Sequence, residues 1–156
     1  MRTDQLSNEE IIQYFRADAD RLFRYLPWLQ NKSGSAAYTK YSDERVTANS
    51  ISFPVYDSTL LAFVKEAGNT CFMDRNHVYV YSRNRLKTEK DELSLISRAT
   101  IRNMDDLAGI LSNYILGGRT KALLWNEGVQ KGVYLALLLK MKEIFDFWER
   151  DANSRK

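Results

Sequence analysis

The sequence holds one cysteine, Cys71, and one histidine, His77. A single cysteine excludes an intramolecular disulfide and with it a secreted disulfide scaffold. Zinc sites built from Cys and His need more ligands than these two residues supply. A Ser-His-Asp or Cys-His centre would have to use His77. No nucleophile elbow or catalytic cysteine signature stands beside it, so an ordinary half-buried histidine among aromatics is expected. Proline and glycine are scarce, at 2 and 7 residues, which disfavours an all-β fold with many tight turns. No long hydrophobic run exists: the longest charge-free stretch, Leu107 to Gly118, is about a dozen residues, against the roughly 18 that a membrane span needs. Met1 to Glu10 is polar and lacks the apolar centre of a signal peptide, so a cytoplasmic location is expected. Nor is there a block of like charge. The 23 Lys and Arg and 20 Asp and Glu are interspersed and sum to +3, a mixture typical of a solvated surface and not of a polyanion-binding stripe.

What is present is the composition of an ordinary globular protein, 44% hydrophobic and 28% charged over 156 residues. That length suits one domain with one sizeable core. Residues 1–150 are expected to form a compact, mainly α bundle of five or six helices, followed by a polar tail at 151–156. Ser7 and Glu10 form a capping-box pattern ahead of Ile12, Phe15, Ala19, Leu22, Phe23 and Leu26 at helical spacing. Pro27 should end or kink that helix at Leu26. Asn31 to Ser50 is polar, contains Ser33-Gly34-Ser35, and reads as a long surface loop. A minor extended segment is expected near 51–55, confined by Pro54 to an edge or a turn, or else near 77–81. For His77-Val78-Tyr79-Val80-Tyr81 the β propensity competes with a helix start at Asp74, and the helix is preferred because a lone strand has no evident partner.

Asp57 predicts an N-cap for a helix ending at Gly68, Thr88 and Asp91 a second capping box, and Asn103 the start of a helix that places Leu107, Ile110, Leu111, Tyr114 and Ile115 on one face. Gly117-Gly118 should end it, and a further helix is expected from Arg119 to Glu127. From Val133 to Leu139 the chain is apolar all round. A helix without a polar face must be covered on every side, so this is either the central helix of the fold or part of a subunit interface.

The carboxylate pairs Glu9/Glu10 and Asp105/Asp106 fall in first helical turns, where negative charge complements the macrodipole. Asp18 and Asp20 point in different directions on a helix and make poor joint metal ligands. No catalytic residue, metal ligand or cofactor motif is therefore assigned. Leu116-Gly117-Gly118-Arg119-Thr120-Lys121 lacks Walker spacing, although helices flanking the Gly-Gly turn would have the proportions of a helix-turn-helix over 104–127. The apolar run Ala122-Leu123-Leu124-Trp125 argues against it, because a recognition helix needs several exposed polar readers. Tyr38, Tyr41 and Tyr56 lie in or beside the irregular region and serve either as a lid on the core or as a recognition surface.

Tyr114-Ile115-Leu116-Gly117-Gly118-Arg119-Thr120-Lys121-Ala122-Leu123-Leu124-Trp125, then Gly128 and the apolar helix, resembles a bacterial family, domain of unknown function 6508. Tyr56-Asp57-Ser58 and Asp74-Arg75-Asn76 resemble further family positions. Where the family pattern has Arg-Gly-Glu-Arg, this chain has Gly117-Gly118-Arg119-Thr120, without the first basic and the acidic positions. The resemblance marks Tyr114, Gly118, Arg119 and Trp125 and implies a small helical bacterial domain of no assigned activity. Three roles follow. The first is a non-enzymatic interaction module, self-associating through its C-terminal helix. The second is a nucleic-acid-associated regulator using the segment 104–127, with Arg119 as a phosphate contact. The third is a small enzyme with an acidic, Tyr- and Arg-lined pocket near Asp57, Asp74, Arg75 and Trp125.

Overall fold

The computed structural model describes residues 3–41 and 53–154. Among these residues the elements run α1 (Asn8–Phe23), α2 (Leu26–Lys32), β1 (Tyr38–Tyr41), β2 (Phe53–Tyr56), α3 (Ser58–Gly68), α4 (His77–Asn84), α5 (Glu89–Arg98), a 3₁₀ turn (Ile101–Asn103), α6 (Met104–Gly117), α7 (Leu124–Gln130) and α8 (Val133–Ser154). The architecture is mainly helical, as the composition implies. Eight helices replace the expected five or six. Three of them, α2, α4 and α7, are only seven or eight residues long, too short for a 3.6-residue period to stand out. No helix among the described residues is long and apolar enough to cross a membrane.

Local capping chemistry sets most helix starts. Ser7 Oγ accepts the Glu10 amide at 3.1 Å while the Glu10 carboxylate accepts the Ser7 amide at 3.0 Å, closing the box that begins α1. Ile11, Phe15, Ala19 and Leu22 are buried by that helix, each large apolar side chain stabilising the fold by roughly 1.5–3 kcal/mol. Ile12 sits at the edge of the stripe, half-buried. Pro27 both breaks α1 from α2 and occupies the first turn of α2, where its missing N–H has no intrahelical partner to lose. Asp57 caps α3 by accepting the Thr59 amide, and Thr88 and Asp91 form the box that opens α5. Asn103 precedes α6, but its side chain turns back to accept the Thr100 amide in the 3₁₀ turn and does not cap α6.

Two expectations change. Part of the presumed loop Asn31–Ser50 is strand β1, which pairs antiparallel with β2 in the register Tyr38 opposite Tyr56; residues 42–50 of that loop lie outside the described residues. The pairing is non-local, which is why neither strand could be matched to a partner from sequence. The alternative extended segment, 77–81, belongs to α4. Its N-cap is Asn76, not Asp74.

The second change concerns the turn after α6. Arg119 to Glu127 is not one helix: the chain passes through turns closed by Lys121 N–H to Gly117 O (3.0 Å) and Thr120 N–H to Gly117 O (3.2 Å), and α7 starts only at Leu124. Leu123 at φ +68° makes the left-handed step that redirects the chain, held by its amide bond to the Tyr56 hydroxyl at 3.0 Å. Gly118 has an ordinary right-handed φ; its missing side chain matters because a Cβ there would fall 2.2 Å from the Trp125 ring. Helix α8 is the central element, packed against α1, α2, α5, α6 and α7. Val133, Tyr134, Leu137 and Leu138 are buried in it, Leu135 and Ala136 pack at its margin, and Leu139 alone of the apolar run stays exposed. The helix continues through residues 151–154, into the stretch expected as a polar tail.

Candidate functional site

A cleft of about 630 Å³ opens where the N-terminal segment, the loop before α4 and the start of α6 meet, lined by Asp4, Asp74, Asn76, Tyr79, Val80, Arg83 and Asp105. Packing on α6 sets its geometry. Val80 is the one buried side chain of α4 and rests on Gly109, where a Cβ would lie 2.5 Å from the valine methyl. Only glycine lets the two helices approach this closely. The loop before α4 is tied down by the Asp74 amide, which donates to Ser112 Oγ at 2.8 Å. That buried hydroxyl lies 2.9 Å from the Phe72 carbonyl and 2.8 Å from the Ala108 carbonyl. The Asp74 carboxylate accepts the Asn76 amide at 2.8 Å, the local turn that aims the chain into α4.

Charge in the cleft is one-sided. Asp106, buried behind the lining, binds the Arg83 guanidinium and accepts from Asn84 Nδ2 (3.1 Å) and Asn103 Nδ2 (3.3 Å). Arg83 also stands 5.5 Å from the centroid of the Tyr79 ring. Arg83 is thus already paired, and Asp4, Asp74 and Asp105 line the cleft with no second cation among the described lining residues. Asp105 Oδ2 accepts the amide (2.6 Å) and hydroxyl (3.0 Å) of Thr3, both uncharged partners. Clustered carboxylates beside a low-dielectric wall focus negative potential. They do not converge on a metal, since among the described residues no group of three or more His, Cys, Asp or Glu could hold one. Val78 and Tyr79, 67% and 55% exposed, present apolar surface on the same helix.

A second polar cluster lies at the edge of the core. Glu92, 6% exposed, accepts the Tyr114 hydroxyl at 2.8 Å on one carboxylate oxygen and the Tyr81 hydroxyl on the other. Burial, with Glu92 adding to it, pushes both phenols far above the ordinary tyrosine range, so they stay protonated donors. The cluster is a polar tie between α4, α5 and α6.

No family model, curated protein or solved structure matches this chain. The residues themselves must therefore carry the reading.

Of the residues singled out from sequence, Asp74 lies in the cleft. Arg75 is exposed beside it and lines neither cavity described here. Asp57 borders a separate cavity of about 210 Å³ with Lys32, Tyr38, Thr39, Val55 and Tyr56. Trp125 is half-buried, its ring 5.4 Å from Tyr56 and its Nε1–H donating to the Ile115 carbonyl at 2.9 Å. The four residues of the presumed enzyme pocket are thus divided between places. Tyr114 is in the core, and Arg119 is exposed on the turn after α6, so neither Arg119 nor Lys121 opens a helix. Tyr56 folds onto the core as a lid. His77 is half-buried, as expected, and among the described residues its buried Nδ1 has no hydrogen-bond partner.

Sequence reasoning missed Asp4, Tyr79, Arg83 and Glu92, and treated Asp105 and Asp106 only as first-turn charges. Glu92 left a readable trace: it occupies the i position of the buried Glu92, Leu95, Ile96 stripe of α5, a carboxylate where an apolar residue belongs.

Proposed function

We propose that the protein is a non-enzymatic interaction module that docks a cationic group, such as a Lys or Arg side chain of a partner segment, in the cleft between the N-terminal segment, α4 and α6. The observation carrying this reading is the charge of the described lining: three carboxylates at the opening and one guanidinium already matched by Asp106. Exposed Val78 and Tyr79 supply apolar contact for the stem of such a side chain. Asp74 and Asp105 accept hydrogen bonds from uncharged groups, the Asn76 amide and Thr3, an arrangement that leaves their charge to be presented. Titration with a trilysine peptide at low salt tests it. Binding should weaken as salt is raised and fall several-fold in Asp74→Asn. Absence of binding at low salt, or affinity indifferent to Asp74→Asn, overturns the reading.

Self-association is a second reading, favoured by one observation: Leu139 and Phe147, 41% and 57% exposed, lie two turns apart along α8. The rest of the apolar run is covered within one chain, so a dimer would use this outer strip. A monomer molar mass in light scattering at high concentration would dispose of it. Kinship with domain of unknown function 6508 is likewise proposed, on the stretch 114–125 with Gly128 and the looser likeness at 56–58 and 74–76.

A further inference from the structure

The chain ahead of α1 is tied to the body by residues remote in sequence. Thr3 donates its amide (2.6 Å) and hydroxyl (3.0 Å) to Asp105 Oδ2, 102 positions away, and the Leu6 amide closes back on the Thr3 carbonyl at 3.0 Å. Arg102 grips the same loop. Its Nη2 donates to the Thr3 (3.3 Å) and Asp4 (3.2 Å) carbonyls, and its Nη1 to the Leu6 carbonyl (2.8 Å) and to Asn8 Oδ1 (3.1 Å) in α1. Of the five bonds that join Thr3–Leu6 to the body, three thus come from one guanidinium and two end on one carboxylate oxygen. Leu6 is the loop's one apolar side chain, and it is only half-buried.

We infer that Thr3–Leu6 is a strap that opens as one unit, pinned by Arg102, while the helical body stays folded. A segment held by solvent-exposed hydrogen bonds and little apolar burial opens at far lower cost than a packed core. The Arg102 bonds to the Leu6 and Asp4 carbonyls are exposed, whereas α8 is anchored by the buried Val133, Tyr134, Leu137 and Leu138. The Ser7 and Glu10 capping box follows directly and joins only its own residues, so it survives opening and sets the hinge. Arg102 suits the role of pin because its planar fork of donors meets three carbonyls at once. Opening has a consequence for the cleft. Asp4 reaches the lining from this loop, so the closed strap bounds the cleft on one side, and the open strap leaves a groove beside α4 and α6 without that wall. The strap sets the width of the cleft whatever occupies it, and the inference does not rest on the occupant proposed above.

The test follows amide hydrogen exchange of the full chain in urea concentrations below the unfolding transition. In the wild-type chain the Leu6 amide should exchange faster than the buried amides of α8. Its rate should change little with urea, because opening the strap exposes little surface, whereas the α8 amides should follow the steep slope of global unfolding. Arg102→Ala should accelerate Leu6 exchange by about tenfold or more, the factor that ~1.4 kcal/mol produces. The α8 amides should lose no more than the same factor, since the broken bonds destabilise the closed chain against opening and unfolding alike. Arg102→Lys, which keeps the charge but not the fork, should lie between. A Leu6 amide with the rate and urea slope of α8 overturns the strap as a separate unit. Unchanged Leu6 exchange in Arg102→Ala overturns Arg102 as its pin. A larger loss of protection in α8 than at Leu6, in both variants, overturns the independence of strap and body.

Discussion

Two neighbouring tyrosines allow the same chemical deletion to be made with opposite expected outcomes. Tyr114 and Tyr134 are both buried, with ring centroids 5.8 Å apart in an edge-to-face arrangement. The Tyr114 hydroxyl donates to the buried Glu92 carboxylate at 2.8 Å, whereas the Tyr134 hydroxyl has no partner among the described residues. Replacing either by Phe removes one oxygen and keeps the ring, so packing changes little. Hydrogen bonds to charged groups are worth about 1.5–3 kcal/mol. Tyr114→Phe leaves Glu92 with the Tyr81 hydroxyl as its phenolic donor and should cost about 2 kcal/mol. An unsatisfied buried hydroxyl costs about 1–3 kcal/mol, so Tyr134→Phe should be neutral to stabilising by about 1 kcal/mol after the lost contacts of the oxygen are counted. Urea unfolding followed by tryptophan fluorescence reads both, with an unchanged slope confirming that the comparison is of like transitions. The double variant closes a thermodynamic cycle and reads the coupling between the two rings, which stand in contact at 5.8 Å. A loss exceeding about 1 kcal/mol in Tyr134→Phe would show that its hydroxyl has a partner, and the reasoning would fail. It would fail equally if Tyr114→Phe were neutral.

Gly128→Ala should destabilise by about 1–3 kcal/mol or more, read as a lowered Tm, because its Cβ would lie 2.1 Å from Tyr134 Cζ in a fully buried ring. Gly132→Ala meets nothing within 4 Å but must hold φ at +76°, so it reports backbone strain without a collision. Cys71 should resist iodoacetamide at pH 8 in the native state and react on unfolding. Burial and then the Asp18 carboxylate push its thiol up to about 12 from 9.0, a thiolate population on the order of 10³ lower at that pH. The raised value favours the neutral thiol in the folded chain, so stability from this group declines as pH rises through the unfolded thiol's range. Equal alkylation rates in native and urea-unfolded protein would contradict the shift.

Local hydrogen-bond logic was legible in the chain. The Ser7/Glu10 and Thr88/Asp91 boxes and the Asp57 cap each join atoms two or three residues apart, so residue types at short spacing determine them whatever the tertiary context. The buried stripe of α6 was equally plain, because Leu107, Ile110, Leu111, Tyr114 and Ile115 repeat with the helix period. Reading fared worse where an element is short or its partner remote. Nothing near Tyr38–Tyr41 announces a strand whose partner begins at Phe53, across residues 42–52. The turn at 119–123 looked like helix because its residues suit one; Leu123 takes a left-handed conformation there, its amide donating to the Tyr56 hydroxyl.

The candidate site divides along the same line. Asp74 stood out because it precedes a helix, a local fact, but Asp4, Arg83 and Asp105 gain meaning only from being brought to one opening. Thr3 and Asp105 are 102 positions apart in the chain, and Glu92 and Tyr114 are 22 apart. The sequence alone therefore determined the helical class, the principal caps and the greasy course of α8. Tertiary structure decided that Val133, Tyr134, Leu137 and Leu138 of α8 are buried within one chain, that Asp106 pairs with Arg83, and that three carboxylates line a common cleft. The physical reason is range: capping and periodicity act over one or two turns of backbone, whereas charge balance and burial depend on which distant segments the packed core places side by side.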